Sequence, residues 1–70
     1  MSARYNVEIP DAVNKEFTMV AEESEVTKAE ILRKALQLFI AAHKATRNGD
    51  KVGIVDKSKA GELKTEFVGL

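Results

Sequence analysis

The sequence contains no cysteine, so neither a disulfide framework nor a thiolate metal site can stabilise the fold. Its single histidine, His43, lies in an alanine-rich helical stretch, where we interpret it as a surface residue and not as a metal ligand. No serine stands in a nucleophile motif, and no glycine-rich phosphate loop is present. The sequence therefore predicts a protein that is not an enzyme and that uses no metal or other cofactor.

Long apolar runs are missing as well. The longest apolar stretches lie inside helical patterns and are interrupted by Lys, Arg or Gln, and none approaches the length of a transmembrane span. The N-terminus lacks the apolar region of a signal peptide. We therefore expect a soluble, cytoplasmic protein with no membrane partner.

The chain also lacks net charge, because 11 basic residues balance 11 acidic residues. Small nucleic-acid-binding proteins are usually basic, and residues 1–34 hold more acidic than basic side chains. Any contact with phosphate must therefore come from a local arrangement of groups. We interpret the acidic cluster of Glu22, Glu23 and Glu25 as a solvated helix end and not as a cation site.

The first feature that is present is a short alternating stretch, RYNVEI, over residues 4–9. Its apolar members are Tyr5, Val7 and Ile9, and its polar members are Arg4, Asn6 and Glu8. This period of two predicts a half-buried strand. No second strand follows directly, and a lone strand exposes backbone groups that can pair with another chain. A chain of 70 residues also has difficulty burying enough apolar surface alone.

Two amphipathic helices are predicted after this strand, over residues 11–23 and 28–46. Pro10 and Asp11 suit the start of the first helix, since proline is favoured near the first turn and aspartate accepts hydrogen bonds from free backbone N–H groups. Thr27 and Glu30 have the spacing of a capping box at the start of the second helix. Asn48–Gly49 is a stop signal. The apolar faces consist of Val13, Phe17, Val20 and Ala21 in the first helix, and of Ile31, Leu32, Ala35, Leu36, Leu38 and Phe39 in the second.

The last third of the chain has a different character. Residues 51–55 and 62–68 both favour strand, and the segment DKSKAG between them contains turn-forming residues. We predict a β-hairpin here, with a mobile tail as the alternative. The predicted fold is therefore mainly helical, with short β elements.

Residues 3–40 resemble the ribbon-helix-helix repressors, the group that includes the Arc and methionine repressors and the CopG-type plasmid regulators. The resemblance is carried by RYNVEI, by the pattern V…F…VA in the first helix and by VTKAEILRKALQLF in the second. It implies a homodimer in which the two N-terminal strands form an antiparallel ribbon. Residues 1–47 would then form the DNA-binding and dimerisation domain, and residues 48–70 a C-terminal extension.

The resemblance also implies roles for individual residues. The ribbon would enter the major groove, where Arg4 suits guanine, Asn6 suits adenine and Glu8 could accept a hydrogen bond from cytosine. Thr27 and Lys28 would contact a DNA phosphate at the start of the second helix. Glu25 corresponds to a turn residue that is often a left-handed glycine in the family. The implied dimer core consists of Tyr5, Val7, Ile9, Phe17, Ile31, Leu32, Ala35, Leu36 and Phe39.

Three functions remain open at this point. The first is a homodimeric repressor that binds double-stranded DNA, with higher-order association through either the alanine-rich end of the second helix or residues 48–70. The second is an antitoxin whose residues 48–70 bind a toxin, since this segment is more apolar than an idle tail requires. The third is a dimeric interaction module without DNA binding, which the zero net charge, Glu8 and Glu25 favour.

Overall fold

Capping and turn residues divide the chain into two helices followed by two strands. The computed structural model describes residues 1–59 and 61–70. Its elements are α1 (Asp11–Ser24), α2 (Lys28–Arg47), β1 (Val52–Val55) and β2 (Leu63–Phe67). These residues group into two compact units, Met1–Leu32 and Arg33–Leu70. The result is a small, mainly helical protein with an antiparallel sheet, and neither helix of the described residues is long and apolar enough to cross a membrane.

The strand predicted over Tyr5–Ile9 is not formed within the single chain, and its pairing with a second chain stays a prediction. Residues 1–10 have no regular secondary structure. A strand exists through the ladder hydrogen bonds that it makes with a neighbour, and none is formed by this segment within the described residues. The helices therefore precede both strands of the chain, whereas a ribbon-helix-helix chain begins with its strand.

Helix α1 begins at Asp11, as predicted. Pro10 precedes it at the N-cap, with φ −54° and ψ 144°. Its carbonyl accepts the first helical hydrogen bond from the N–H of Asn14, at 2.9 Å. Asp11 lies in the first turn, where its carboxylate interacts favourably with the helix dipole.

Helix α2 ends at the predicted stop signal. The N–H of Gly49 donates to the carbonyl of Thr46 at 3.1 Å, and the N–H of Asp50 donates to the carbonyl of Ala45 at 3.0 Å. This pair of bonds is a Schellman motif, which requires a left-handed residue after the helix. Gly49 supplies it with a φ of 87°.

The C-terminal segment forms the predicted hairpin. β1 and β2 pair antiparallel, with Val52 opposite Phe67 and Ile54 opposite Thr65. A register shift between Ile54 and Val55 leaves Lys64 without a β1 partner, which is the pattern of a β-bulge. The strands are slightly shorter than the predicted ranges 51–55 and 62–68.

The turn after β1 is stabilised by a carboxylate. The N–H and the hydroxyl of Ser58 both donate to Oδ1 of Asp56, at 2.9 and 2.8 Å. These two hydrogen bonds favour the ionised form and lower the pKa of Asp56 below its usual value. The N–H of Lys59 closes the turn by donating to the carbonyl of Asp56 at 3.0 Å.

Within the unit Arg33–Leu70, the last residue of the chain contacts the end of α2. The main-chain oxygen of Leu70 accepts a hydrogen bond from the hydroxyl of Thr46 at 3.1 Å. It also lies 3.3 Å from Nδ1 of His43. The ring of His43 stacks on Phe39, with the centroids 6.2 Å apart and the planes 9° from parallel. These polar contacts attach the segment after β2 to the helix.

Burial in the single chain is very limited. Ala42, at 6 % exposure, is the only buried residue in the described part of the chain. The half-buried residues are Ile9, Phe17, Thr18, Ala21, Val26, Ile31, Ala45, Thr46, Val52, Gly53 and Leu70. Because hydrophobic stabilisation scales with the apolar area removed from water, the single chain gains little of it.

We predict that Gly53→Ala disrupts the hairpin. A Cβ atom at Gly53 would overlap the carbonyl oxygen of Thr65 on the paired strand, and this backbone atom cannot move without loss of the pairing. The cost should be roughly 1–3 kcal/mol, as for other overpacked sites. Amide exchange across β1 and β2 should become faster in Gly53→Ala and stay unchanged in the exposed-turn control Lys57→Ala. Equal protection in the two variants would contradict this role of Gly53.

Candidate nucleic-acid interface

The three polar residues of the N-terminal segment are open to solvent. Arg4, Asn6 and Glu8 are exposed and lie in the irregular segment that precedes α1. Within residues 1–59 and 61–70, none of the three side chains makes a hydrogen bond or an ion pair. Their donors and acceptors are therefore available to an external ligand.

The apolar residues of the same segment are also exposed. Tyr5 is 84 % exposed and Val7 is 76 % exposed, whereas Ile9 is half-buried. Side chains of this size normally lie inside a fold or an interface when they alternate with polar residues. The segment thus offers both an apolar and a polar set of side chains to whatever it contacts.

The start of α2 has the predicted cap. The hydroxyl oxygen of Thr27 accepts a hydrogen bond from the N–H of Glu30 at 3.1 Å, and the carbonyl of Thr27 accepts the first helical bond from Ile31 at 3.1 Å. This confirms the Thr27 half of the capping box. The N–H groups of Lys28 and Ala29 precede the first helical bond, so they point out of the helix end. Together with the helix dipole, such groups attract anions.

Lys28 makes a contact that the sequence analysis missed. Its Nζ lies 5.4 Å from the centroid of the Phe17 ring, in a cation–π arrangement. A lysine in the first turn of a helix is disfavoured by the helix dipole, and the ring offsets this with about 0.5–1 kcal/mol at an exposed site. Phe17 lies on α1, eleven positions earlier, and no sequence spacing signals a contact across the turn between the helices. Of the predicted interface residues, Lys28 and Phe17 are thus brought together.

The turn between the helices contains a left-handed residue at the expected position. Glu25 follows α1 and has φ 56° and ψ 34°. It is the only residue other than glycine with a positive φ in the described part of the chain. This conformation is costly for a residue with a side chain, and the exposed carboxylate lies two residues before Thr27. The turn therefore combines backbone strain with a negative charge near the start of α2.

None of the nine predicted dimer-core residues is buried in the single chain, all nine lying within the described ranges. Ile9, Phe17 and Ile31 are half-buried. The exposed members are Tyr5, Val7, Leu32, Ala35, Leu36 and Phe39. The sequence analysis did not include Met19 and Ile40 in this set, although both are exposed as well. These side chains are all accessible to a partner.

Among the described residues, the acidic side chains and His43 are not arranged as a metal site. Glu22, Glu23 and Glu25 are exposed, and no group of three or more His, Asp or Glu residues within 1–59 and 61–70 is placed to hold a metal ion. His43 is exposed and contacts Phe39 and Leu70. The contacts of this histidine are therefore those of a structural residue.

Comparison of the chain with models of known protein families, with curated proteins and with solved structures gives no match. The resemblance to ribbon-helix-helix proteins therefore stays a prediction from the chain's own features. Those features are the alternating N-terminal segment, the bounds of α1 and α2, the Thr27 cap and the left-handed Glu25.

We predict that Glu25→Gly stabilises the protein by about 1 kcal/mol, because glycine adopts the left-handed conformation without a Cβ penalty. Urea unfolding followed by circular dichroism measures the free energy of unfolding. Glu25→Gln is the matched control, since it removes the charge and keeps the side chain. If Glu25→Gln stabilises the protein as much as Glu25→Gly does, the charge of Glu25 and not its backbone conformation is what destabilises the parent, and the backbone explanation is wrong.

Proposed function

We propose that the protein is a homodimeric, sequence-specific DNA-binding transcriptional repressor of the cytoplasm. In this proposal the segments around residues 4–9 of two chains pair as an antiparallel ribbon that enters the major groove. The observation that carries the proposal is the alternating segment itself. Its apolar and polar side chains are exposed, it has no strand partner among the described residues, and it precedes a capped pair of helices.

The exposed apolar side chains support a dimer. Leu36 is 62 % exposed and Leu38 is 69 % exposed on α2, and Ala42 alone is buried among the residues that the structure describes. A soluble monomer rarely exposes so many large apolar side chains. A second copy is the commonest way for a small chain to complete its core.

Pairing of the two segments would give each set of side chains a separate environment. In a two-stranded ribbon, alternate residues point to opposite faces. Tyr5, Val7 and Ile9 would face the helices of the dimer. The polar set would line the outer face, where a ribbon can lie in the major groove of B-DNA.

The polar face has the chemistry for reading base edges. The guanidinium of Arg4 can donate two hydrogen bonds to O6 and N7 of guanine, and the amide of Asn6 can pair with N6 and N7 of adenine. The carboxylate of Glu8 can accept from N4 of cytosine. Because the three side chains have no protein partner within 1–59 and 61–70, binding of DNA would break no existing contact.

The start of α2 supplies the proposed phosphate contact. The outward N–H groups of its first turn would hold the phosphate, and the ammonium of Lys28 would add a positive charge beside it. Phosphate contacts supply most of the sequence-independent affinity of DNA-binding proteins. Since the chain has zero net charge, this affinity should be small and strongly dependent on the local contact.

A second candidate function is an antitoxin that uses the C-terminal hairpin. Exposed apolar residues of the hairpin favour it, and they are Ile54, Val55, Leu63, Phe67 and Val68. The hairpin is already folded in the single chain, so a toxin would dock on a formed surface. Purification of the protein with its co-expressed genetic neighbour distinguishes the two, because a repressor without a toxin would elute alone.

The third possibility, a module without DNA binding, predicts no retention on DNA at physiological salt.

We predict that Arg4→Ala and Asn6→Ala each weaken specific DNA binding by about 1–3 kcal/mol per chain, the usual discrimination of a bidentate base contact, and by about twice that per dimer. Binding to an operator selected from random duplexes is compared with binding to unrelated DNA. Arg47→Ala, which removes an arginine from the last turn of α2, is the matched control. Both variants should keep the helical content of the parent. Unchanged specific binding in both would mean that the segment does not read DNA.

We also predict that Lys28→Ala weakens binding to all sequences alike. The loss of one phosphate contact per chain should lower the slope of log affinity against log salt concentration by roughly 2 per dimer. Lys57→Ala, in the turn after β1, serves as the control for loss of a positive charge. If the two variants shift the salt dependence equally, Lys28 contributes bulk charge only.

A further inference from the structure

We propose that β2 is a second self-association site, at which it pairs antiparallel with β2 of another copy of this chain. The two hairpins would then form one four-stranded sheet. This inference concerns residues 62–68 and does not rest on DNA binding. The strand that pairs with β2 is expected to be β2 of another copy, because the charges along β2 are self-complementary.

The outer edge of β2 is available for pairing. In the part of the chain that the structure describes, the sheet consists of β1 and β2 alone, so β1 covers one edge of β2 and leaves the other edge open. All five residues of β2 are exposed. An open edge is a template for another strand, and a two-stranded hairpin is only marginally stable until further strands are added.

The charges on β2 select one register. Two identical antiparallel strands are related by a two-fold axis, which passes through a residue paired with its own copy. An axis at Lys64 would oppose two lysines, and an axis at Glu66 would oppose two glutamates. An axis at Thr65 instead places Lys64 opposite the Glu66 of the other copy, and this pair occurs twice. Opposite charges that face each other across strands are stabilising, and like charges are destabilising.

The contacts within the hairpin are compatible with this register. Lys64 is the residue that the bulge leaves without a β1 partner. Glu66 makes only a long ion pair with Lys51, at 3.8 Å between exposed side chains, and such surface pairs contribute little stability. Thr65 would face its own copy, and threonine pairs are also favourable across strands.

The edge of β1 differs from that of β2. Its four residues, Val52–Val55, carry no charge, so opposite charges select no register for a pair of β1 strands. The charge complementarity that favours one register is therefore found on β2.

This second interface has a consequence for the assembly. If the N-terminal segments hold two chains together, pairing through β2 joins such dimers to each other. Dimers bound at adjacent sites on DNA would then bind cooperatively. The hairpin interface would form equally in the absence of DNA.

The test uses disulfide trapping at the proposed two-fold axis, in the full chain and without DNA. The chain has no cysteine, so Thr65→Cys introduces the only thiol. Residues that face each other across strands have Cβ atoms about 4.5–5.5 Å apart, close to the geometry of a disulfide. Under mild oxidation, Thr65→Cys should cross-link much faster than the control Lys57→Cys in the exposed turn. Equal rates would overturn the proposal.

Charge reversal tests the register. Added to Thr65→Cys, either Lys64→Glu or Glu66→Lys opposes like charges twice and should slow cross-linking by roughly tenfold. A one-to-one mixture of the two variants restores both opposite-charge pairs and should give a heterodisulfide at nearly the parent rate. Circular dichroism checks that each variant is folded. If the mixture reacts no faster than the separate variants, the Thr65-centred register is wrong. Cross-linking is independent of the DNA-binding assays, so failure of either proposal would be recognised separately.

Discussion

The structure depends above all on the scarcity of buried apolar surface in a single chain. Only Ala42 is buried among the described residues, while large side chains on α1, α2 and the hairpin face solvent. Folding must offset a large loss of conformational entropy, and two helices and a hairpin with this little burial do so poorly. We therefore propose that these exposed apolar faces contact another molecule. The N-terminal segment is the clearest case, since its alternating pattern has the form of a strand but finds no neighbouring strand in its own chain.

Local signals in the sequence predicted most of the fold. The bounds of α2 follow from a capping residue and a stop residue, as Thr27 and Gly49 show through their hydrogen bonds. The hairpin follows from two β-rich stretches around turn residues, and Glu25 was expected in the turn where it adopts the left-handed conformation. These features are encoded within a few residues of each other, so a short window of sequence contains their causes.

The sequence contains little signal for contacts that connect distant residues. The strand predicted over Tyr5–Ile9 is not formed in the single chain, because a strand requires a partner that alternation alone does not supply. The contact of Lys28 with Phe17 and the bonds of Leu70 with Thr46 and His43 join different elements, and no spacing predicts them. The candidate base-reading residues remain a prediction for the same reason, since their function requires a second chain and DNA.

The central claim is that two chains together read DNA through their N-terminal segments. The most direct test is selection from a pool of random duplex DNA across a series of salt concentrations, with the mass of the protein measured on the same sample. We expect a mass of two chains, or an even multiple of two chains where hairpins of different dimers also pair, and enrichment of a short motif with two-fold symmetry at moderate salt. A monomer, or a dimer that enriches no sequence at any salt concentration, would contradict it.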